Sequence, residues 1–252
     1  MTPALPQPPE PAGFGNCPEC AYSGTGTASI CFDCASRTIE QLSDERCLIC
    51  DGRLRAGECG NPLCNRAPSE RGWSYIYAIS MRSGELERAI SAYKYGGTKG
   101  WAWIFGRVLA GWLESKLFSE PVYDPRDLII PMPTYHGEGA TRDFNHTDLI
   151  VRRAQIEAPE LPIRRDVMRQ TKATPRLVDQ PGFAARAQVA EVYFGPSLEV
   201  TDPEAVKGKR VLVFDDVFTS GLTLREVARK LKDAGAIDVA GVVLARQPFR
   251  GG

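Results

Sequence analysis

The sequence predicts an α/β fold, a doubly wound parallel sheet placed behind a small cysteine-rich module. Three observations predict it. Short, wholly apolar runs at residues 211–214 and 128–130 suit strands buried on both faces, as in a parallel sheet. The first run leads into Leu224, Val227, Ala228 and Leu231, which recur at helical spacing. All eight cysteines fall between Cys17 and Cys64, so one end of the chain is built by different means from the rest. With 252 residues, 43% of them hydrophobic, there is material for one sizeable core plus that module.

Residues 1–16 include five prolines in the stretch MTPALPQPPEPAGFG and are expected to form an extended, mobile tail. They lack both the basic and the apolar region of a secretory signal. The apolar stretch 101–113 is too short to cross a bilayer and contains Arg107. A cytoplasmic protein is expected. The formal net charge of zero argues against a strongly basic nucleic-acid binder, though it leaves room for local basic patches.

The cysteine module is expected over residues 17–68. Cys17/Cys20, Cys31/Cys34 and Cys47/Cys50 have the C-x-x-C spacing that lets two thiolates meet one tetrahedral Zn²⁺, and Cys59/Cys64 form a wider fourth pair. Two structural zinc sites, a double zinc ribbon, account for all eight; a disulfide framework is the alternative in an oxidising compartment. Sequential sites would join Cys17, Cys20, Cys31 and Cys34, then Cys47, Cys50, Cys59 and Cys64. A cross-braced arrangement would interleave the pairs. About fifty residues bury little core unaided, so metal binding and folding would be coupled here. A four-sulfur site is closed to substrate, which makes the metal structural. A short helix is expected over residues 35–44, and residues 66–72 mark the boundary of the module.

The second domain is expected over residues 73–252. Residues 73–80 (WSYIYAIS) are strand-prone, and residues 84–95 carry Leu86, Ile90 and Tyr93 at helical spacing. Lys94 stands before Tyr95, Gly96 and Gly97, where it either caps the last helical carbonyls or turns its ammonium towards a ligand. Residues 101–117 read as a further amphipathic helix. Leu128, Ile129 and Ile130 form a strand, and Pro131-Met132-Pro133-Thr134 turns the chain at its end, where open α/β sheets place ligand loops. Arg142-Asp143-Phe144-Asn145 opens a helix running to about Gln155, and Arg142 has the two-pronged donor that pairs with phosphate oxygens. His136 and His146 read as surface residues. Residues 202–208 form a polar turn, and residues 237–245 a last buried strand.

The stretch that organises the chain is 210–236, RVLVFDDVFTSGLTLREVARKLKDAGA. A strand ends on Asp215 and Asp216, a small polar loop follows, and a helix closes at Gly235. A loop entering a helix presents unpaired N–H groups and the positive end of the helix dipole, which suits a phosphate dianion. Gly221 lets the backbone approach, while Thr219, Ser220 and Thr223 add hydroxyl donors. The paired carboxylates would repel phosphate and match sugar hydroxyls or hydrated Mg²⁺. The loop lacks both a Walker lysine and the three-glycine dinucleotide fingerprint.

Residues 211–223 resemble, without a gap, the signature of the type I phosphoribosyltransferases: four apolar residues, two acids, an apolar pair and a Thr/Ser-rich loop with Gly. The resemblance implies binding of 5-phosphoribosyl pyrophosphate (PRPP) with Mg²⁺. Asp215 and Asp216 would hold the ribose hydroxyls as the catalytic pair, Thr219, Ser220, Gly221, Leu222 and Thr223 would wrap the 5′-phosphate, and Thr134, Lys94 and Arg142 would contact pyrophosphate. The order of cysteine module, Lys-Tyr-Gly element, IPxP strand end, R-x-F-N helix start and PRPP loop is similar to the ComF-type proteins, competence-associated relatives of that family. Against the family pattern, Ser91 stands for His and Asp143 for Gly; residues 171–174 read TKAT, and beyond Leu177 only Arg186 represents the Arg-rich stretch, with Val189 near the position of an Asn. That stretch corresponds to the hood over the acceptor. The implied function is transfer of a phosphoribosyl group with release of pyrophosphate. The alternatives are a non-catalytic PRPP or nucleotide-binding regulator, and a DNA-uptake protein binding single-stranded DNA or a protein partner through module arginines such as Arg53, Arg55 and Arg66.

Overall fold

The structure is a computed structural model that describes residues 42–82, 84–96, 99–117, 126–140 and 142–247. The tail, Cys17, Cys20, Cys31, Cys34 and most of the helix expected over 35–44 lie outside them. Six strands and five helices of two turns or more organise the described chain: β1 Ile76–Met81, α1 Gly84–Tyr95, α2 Trp101–Leu117, β2 Leu128–Pro131, α3 His146–Glu157, β3 Met168–Gln170, α4 Gly182–Val189, β4 Leu198–Val200, β5 Arg210–Phe218, α5 Leu222–Asp233 and β6 Asp238–Arg246.

Four strands form one parallel sheet in the order β1-β6-β5-β2. Leu212 and Phe214 of β5 point into a cluster with α1, α2 and α3, whereas Val211 and Val213 point into a second cluster with α5. Both faces are therefore covered, which is why these strands read as unbroken apolar runs rather than alternating ones. The helix after β2 lies on the first face and the helix after β5 on the second. The adjacent C-terminal ends of β2 and β5 send their chains apart, which makes a crevice at the switch point of an open α/β sheet.

Two differences from the sequence reading bear on that crevice. Asp215 and Asp216 are not at the strand's end; β5 continues to Phe218 because β6 keeps pairing with it, Val217 to Ala245 and Phe218 to Arg246. β2 stops pairing at Pro131 opposite Phe214, so the acids project just past the shorter neighbour. The helix expected from Arg142 begins at His146 instead. Asn145 is its N-cap, accepting from the Asp148 backbone N–H at 3.1 Å, so residues 142–144 stay in the loop.

The segment between α3 and β5 is built from short elements. β3 and β4 pair antiparallel as a two-stranded ribbon, and α4 runs into a five-residue π turn, Ala190–Phe194. At the other end, the cysteine turn docks on β1. The Ile49 carbonyl accepts from the Ile76 N–H at 2.9 Å, and the Asp51 carboxylate accepts from the Ala78 N–H at 2.9 Å. Cys47, Cys50, Leu63 and Cys64 share the second core cluster with Trp73, Ile76 and Ala78.

Candidate functional site

The crevice is a cleft of about 460 Å³ lined by Asp215, Asp216, Thr219, Thr223, Thr134, Lys94 and Arg142 among others. Residues far apart in sequence are thus brought to one place. Ser220 and Gly221 line an adjoining hollow that shares Asp215, Thr219 and Thr223 with the cleft. Leu222 differs, since its side chain is 1% exposed and belongs to the core; only its backbone can serve a ligand.

Gly221 has φ +82°, and a Cβ there would stand 2.7 Å from the Phe218 ring and 2.9 Å from the Trp73 ring. Only glycine satisfies both the left-handed backbone and that contact. It serves as the N-cap of α5, with no side chain over the first turn, so the opening amides of the helix face the loop without an intramolecular cap.

The acids face different surroundings. Burial pushes the Asp215 carboxyl up to about 7, and the adjacent charge of Asp216 adds to the rise. Burial also raises Asp216, but Lys94 and then His146 outweigh it and hold that carboxyl well below the usual carboxylate range. Lys94 Nζ lies 2.7 Å from Asp216 Oδ1 and His146 Nε2 lies 3.2 Å from Oδ2. Lys94 therefore neither caps α1 nor stands alone in the cleft; it is bound to one of the two acids. The Asp216 backbone N–H donates to Asp215 Oδ1 at 2.9 Å, tying the pair together.

His146 corrects the expectation of a surface histidine. Its relative exposure is 2%, because the first turn of α3 packs beneath β5 and α1, and Tyr93 Oη donates to its carbonyl at 2.6 Å. Burial lowers the imidazole pKa and overrides the pull of Asp216, which leaves the ring neutral near pH 7. Arg142 Nη1 sits 3.3 Å from His146 Nδ1, and its guanidinium lies over the Tyr95 ring at 5.5 Å. Arg142 Nε is buried without an acceptor. Thr134 Oγ1 donates to Asn145 Oδ1 at 2.8 Å, and Thr147 Oγ1 donates to the Met132 carbonyl at 2.7 Å, which together fix the turn after β2 against α3. His136 stays exposed, as expected. His146 left no signal in sequence beyond its place one residue after a good N-cap.

The cysteines give a second constellation. The sulfurs of Cys47, Cys50, Cys59 and Cys64 all lie within 4.8 Å of one another, with Cys50 and Cys59 3.7 Å apart. A tetrahedral site with Zn–S bonds of about 2.3 Å requires sulfurs about 3.8 Å apart, so this donor set fits one metal ion. The grouping is that of the sequential pairing. The first four cysteines lie outside the described residues.

Residues 151–251 match the family described as the phosphoribosyl transferase domain, which covers β5, the acids, the hydroxyl loop and α5. This part of the chain is therefore phosphoribosyltransferase-like, within a parallel-sheet α/β fold. Similarity at greater length is to competence protein ComFC of Streptococcus pneumoniae, 25% identical over 217 residues that cover 86% of this chain and 87% of the relative. Competence protein F of Haemophilus influenzae is 27% identical over 212 residues, 79% of this chain and 84% of the relative. Over most of its length the chain is thus similar to the ComF-type competence proteins. A 41-residue segment, 16% of this chain and 18% of the relative, is 54% identical to orotate phosphoribosyltransferase of Acinetobacter baumannii. A solved structure of glutamine PRPP amidotransferase from B. subtilis, complexed with ADP and GMP, aligns with a TM-score of 0.35 and 22% identity over 56% of this chain and 25% of that chain.

Proposed function

We propose that the cleft binds PRPP and transfers its phosphoribosyl group with release of pyrophosphate. The observation that carries the reading is the meeting of two acids, a hydroxyl-bearing loop at a helix N-terminus and two cationic side chains in one crevice. In this reading Thr219, Ser220, Thr223 and the opening amides of α5, those of Leu222 among them, hold the 5′-phosphate. Asp215 and Asp216 accept from the ribose hydroxyls and favour positive charge on the sugar as its anomeric bond breaks. Lys94, Arg142 and Thr134 receive the leaving pyrophosphate, and the orphaned Nε of Arg142 is suited to such an anion.

Asp215 and Asp216 supply the hard oxygen donors that Mg²⁺ prefers, and Asp215 is the one without a lysine partner. Mg²⁺ bound with PRPP would neutralise the developing charge of pyrophosphate. The chain's own part is positioning: the loop fixes the phosphate, the acids fix the ribose, and Thr134 is held by Asn145 at the far end of the cleft. At the module, Zn²⁺ is the metal proposed for the cysteine sulfurs, as structural support.

A calorimetric titration of Mg²⁺–PRPP into the wild type and into Asp215→Asn/Asp216→Asn, followed by a pyrophosphate-release assay across acceptor bases and amines, tests this. Binding in the wild type, its loss in the variant and acceptor-dependent release establish the transferase. Binding without release across the panel supports a PRPP-binding regulator instead. Failure of the folded, metal-loaded wild type to bind removes the proposal.

A second reading is favoured by one further pair of observations. The relatives aligned over most of their length are named competence proteins, and Arg53, Arg55 and Arg66 are exposed on the cysteine module. In that reading the module binds single-stranded DNA, with an affinity that falls steeply with salt. Binding that is unchanged between low and physiological salt excludes the electrostatic form of the idea.

A further inference from the structure

Arg246, the last residue of β6, is 1% exposed, and a buried guanidinium must find partners for its charge and its donors. It finds them on two sides. Nε donates to the Cys50 carbonyl at 2.9 Å and Nη2 to the Cys50 sulfur at 3.4 Å. Nη1 donates to the carbonyls of Phe218 at 3.2 Å and Thr219 at 3.0 Å, and to that of Gln247. The guanidinium also lies over the Phe218 ring at 4.8 Å. Phe218 and Thr219 are the residues that lead out of β5 into the hydroxyl loop, and the Phe218 ring is what a side chain at position 221 would strike. One side chain thus touches both a sulfur of the four-cysteine cluster and the entry of the loop. Gly52 completes the arrangement, since a Cβ there would meet Nη2 at 3.0 Å and the Cys50 sulfur at 3.3 Å.

We propose that Arg246 is a positioning residue that makes the conformation of loop 219–223 depend on metal at Cys47, Cys50, Cys59 and Cys64. Metal coordination fixes the Cys50 sulfur and the turn that carries its carbonyl. Four thiolates around one divalent cation also carry net negative charge, so the guanidinium is held on the cysteine side by charge as well as by geometry. Held there, it can reach the Phe218 and Thr219 carbonyls and pin the loop. Without metal the cysteine side of this clamp loosens, and the loop loses the donor that orders it. Its consequence for ligand rests on the PRPP reading of the loop; the coupling itself does not.

The test is hydrogen exchange of peptides spanning 219–223 in the full chain, zinc-loaded and after chelation, for the wild type, Arg246→Met, Arg246→Lys and Gly52→Ala. Peptides from α2 serve as the internal reference. In the wild type, chelation should raise exchange of the loop by about tenfold while α2 stays constant, the loss expected for charged hydrogen bonds. Arg246→Met should exchange fast in both states, with Arg246→Lys retaining part of the metal dependence. Gly52→Ala displaces the guanidinium without removing it and should behave as a weaker Arg246→Met, which keeps the test open if the methionine variant does not fold. A wild-type loop indifferent to zinc, or an equal zinc effect in wild type, Arg246→Met and Gly52→Ala, overturns the proposal. Mg²⁺–PRPP titration on the same samples separates the two readings: no binding anywhere alongside metal-dependent exchange defeats the PRPP assignment and leaves the coupling standing.

Discussion

Asp215 and Asp216 are neighbours in the chain, yet their environments drive their ionisation in opposite directions, a pattern that lets one site hold an acid and a base together. Between about pH 4 and about pH 7 native Asp215 keeps a proton that the unfolded chain, with its ordinary value of 3.8, has already released. Its folded value is raised, so stability should fall as pH climbs from about 4 to about 7. Buried His146, with its lowered pKa, pushes the other way over the lower part of that range, so the check is a difference: between pH 5 and pH 8 urea unfolding should show the wild type losing more stability, or gaining less, than Asp215→Asn. As the carboxylate is the better acceptor for sugar hydroxyls, PRPP affinity should rise over the same range, and the Asn variant should lack that component. For Asp216, which is 2% exposed, the lysine is the countercharge. Lys94→Met leaves a buried acid unpaired and should cost about 3–5 kcal/mol in denaturant unfolding. Adding Asp216→Asn should return most of that loss.

At the level of elements, what could be read in the sequence was whatever is encoded within a dozen residues. The strand-loop-helix stretch of β5 and α5, the helices Gly84–Tyr95 and Trp101–Leu117 and the spacing of the last four cysteines are local patterns, and each is found where its pattern lies. The burial of His146 is not local: it follows from α3 packing under β5, which no periodicity near residue 146 announces. The Lys94–Asp216 pair likewise joins residues more than a hundred positions apart, brought together only by the crossover from β1 to β5. β3 and β4 are three residues each, too short to show alternation, and the π turn has no compositional mark. The turn between β2 and α3 illustrates how a cap can serve a site. Asn145→Ala should cost about 1 kcal/mol through the lost N-cap, and it should also weaken pyrophosphate binding by freeing Thr134. Thr134→Val, which keeps the cap, should show the second effect with little of the first.

Across the whole molecule, the sheet is bounded on both sides by chain that is not part of it. Beside β2, the Ile129 N–H donates to the Pro162 carbonyl and the Arg164 N–H donates to the Ile129 carbonyl. Beside β1, the cysteine turn fills the same office through Ile49 and Asp51. The first cover is built into the fold, whereas the second hangs on a turn whose shape a metal would set. An uncovered strand is a template for another chain. Stripping the metal should therefore do more than lower the melting temperature: it should expose β1 and allow concentration-dependent self-association, seen as light scattering that Zn²⁺ prevents when added before warming. A chelated sample that stays monomeric at high concentration would show that the turn keeps its place without metal. On this reading the cysteine turn has a protective role that is independent of any ligand, since it denies neighbouring molecules a sheet margin they could otherwise join.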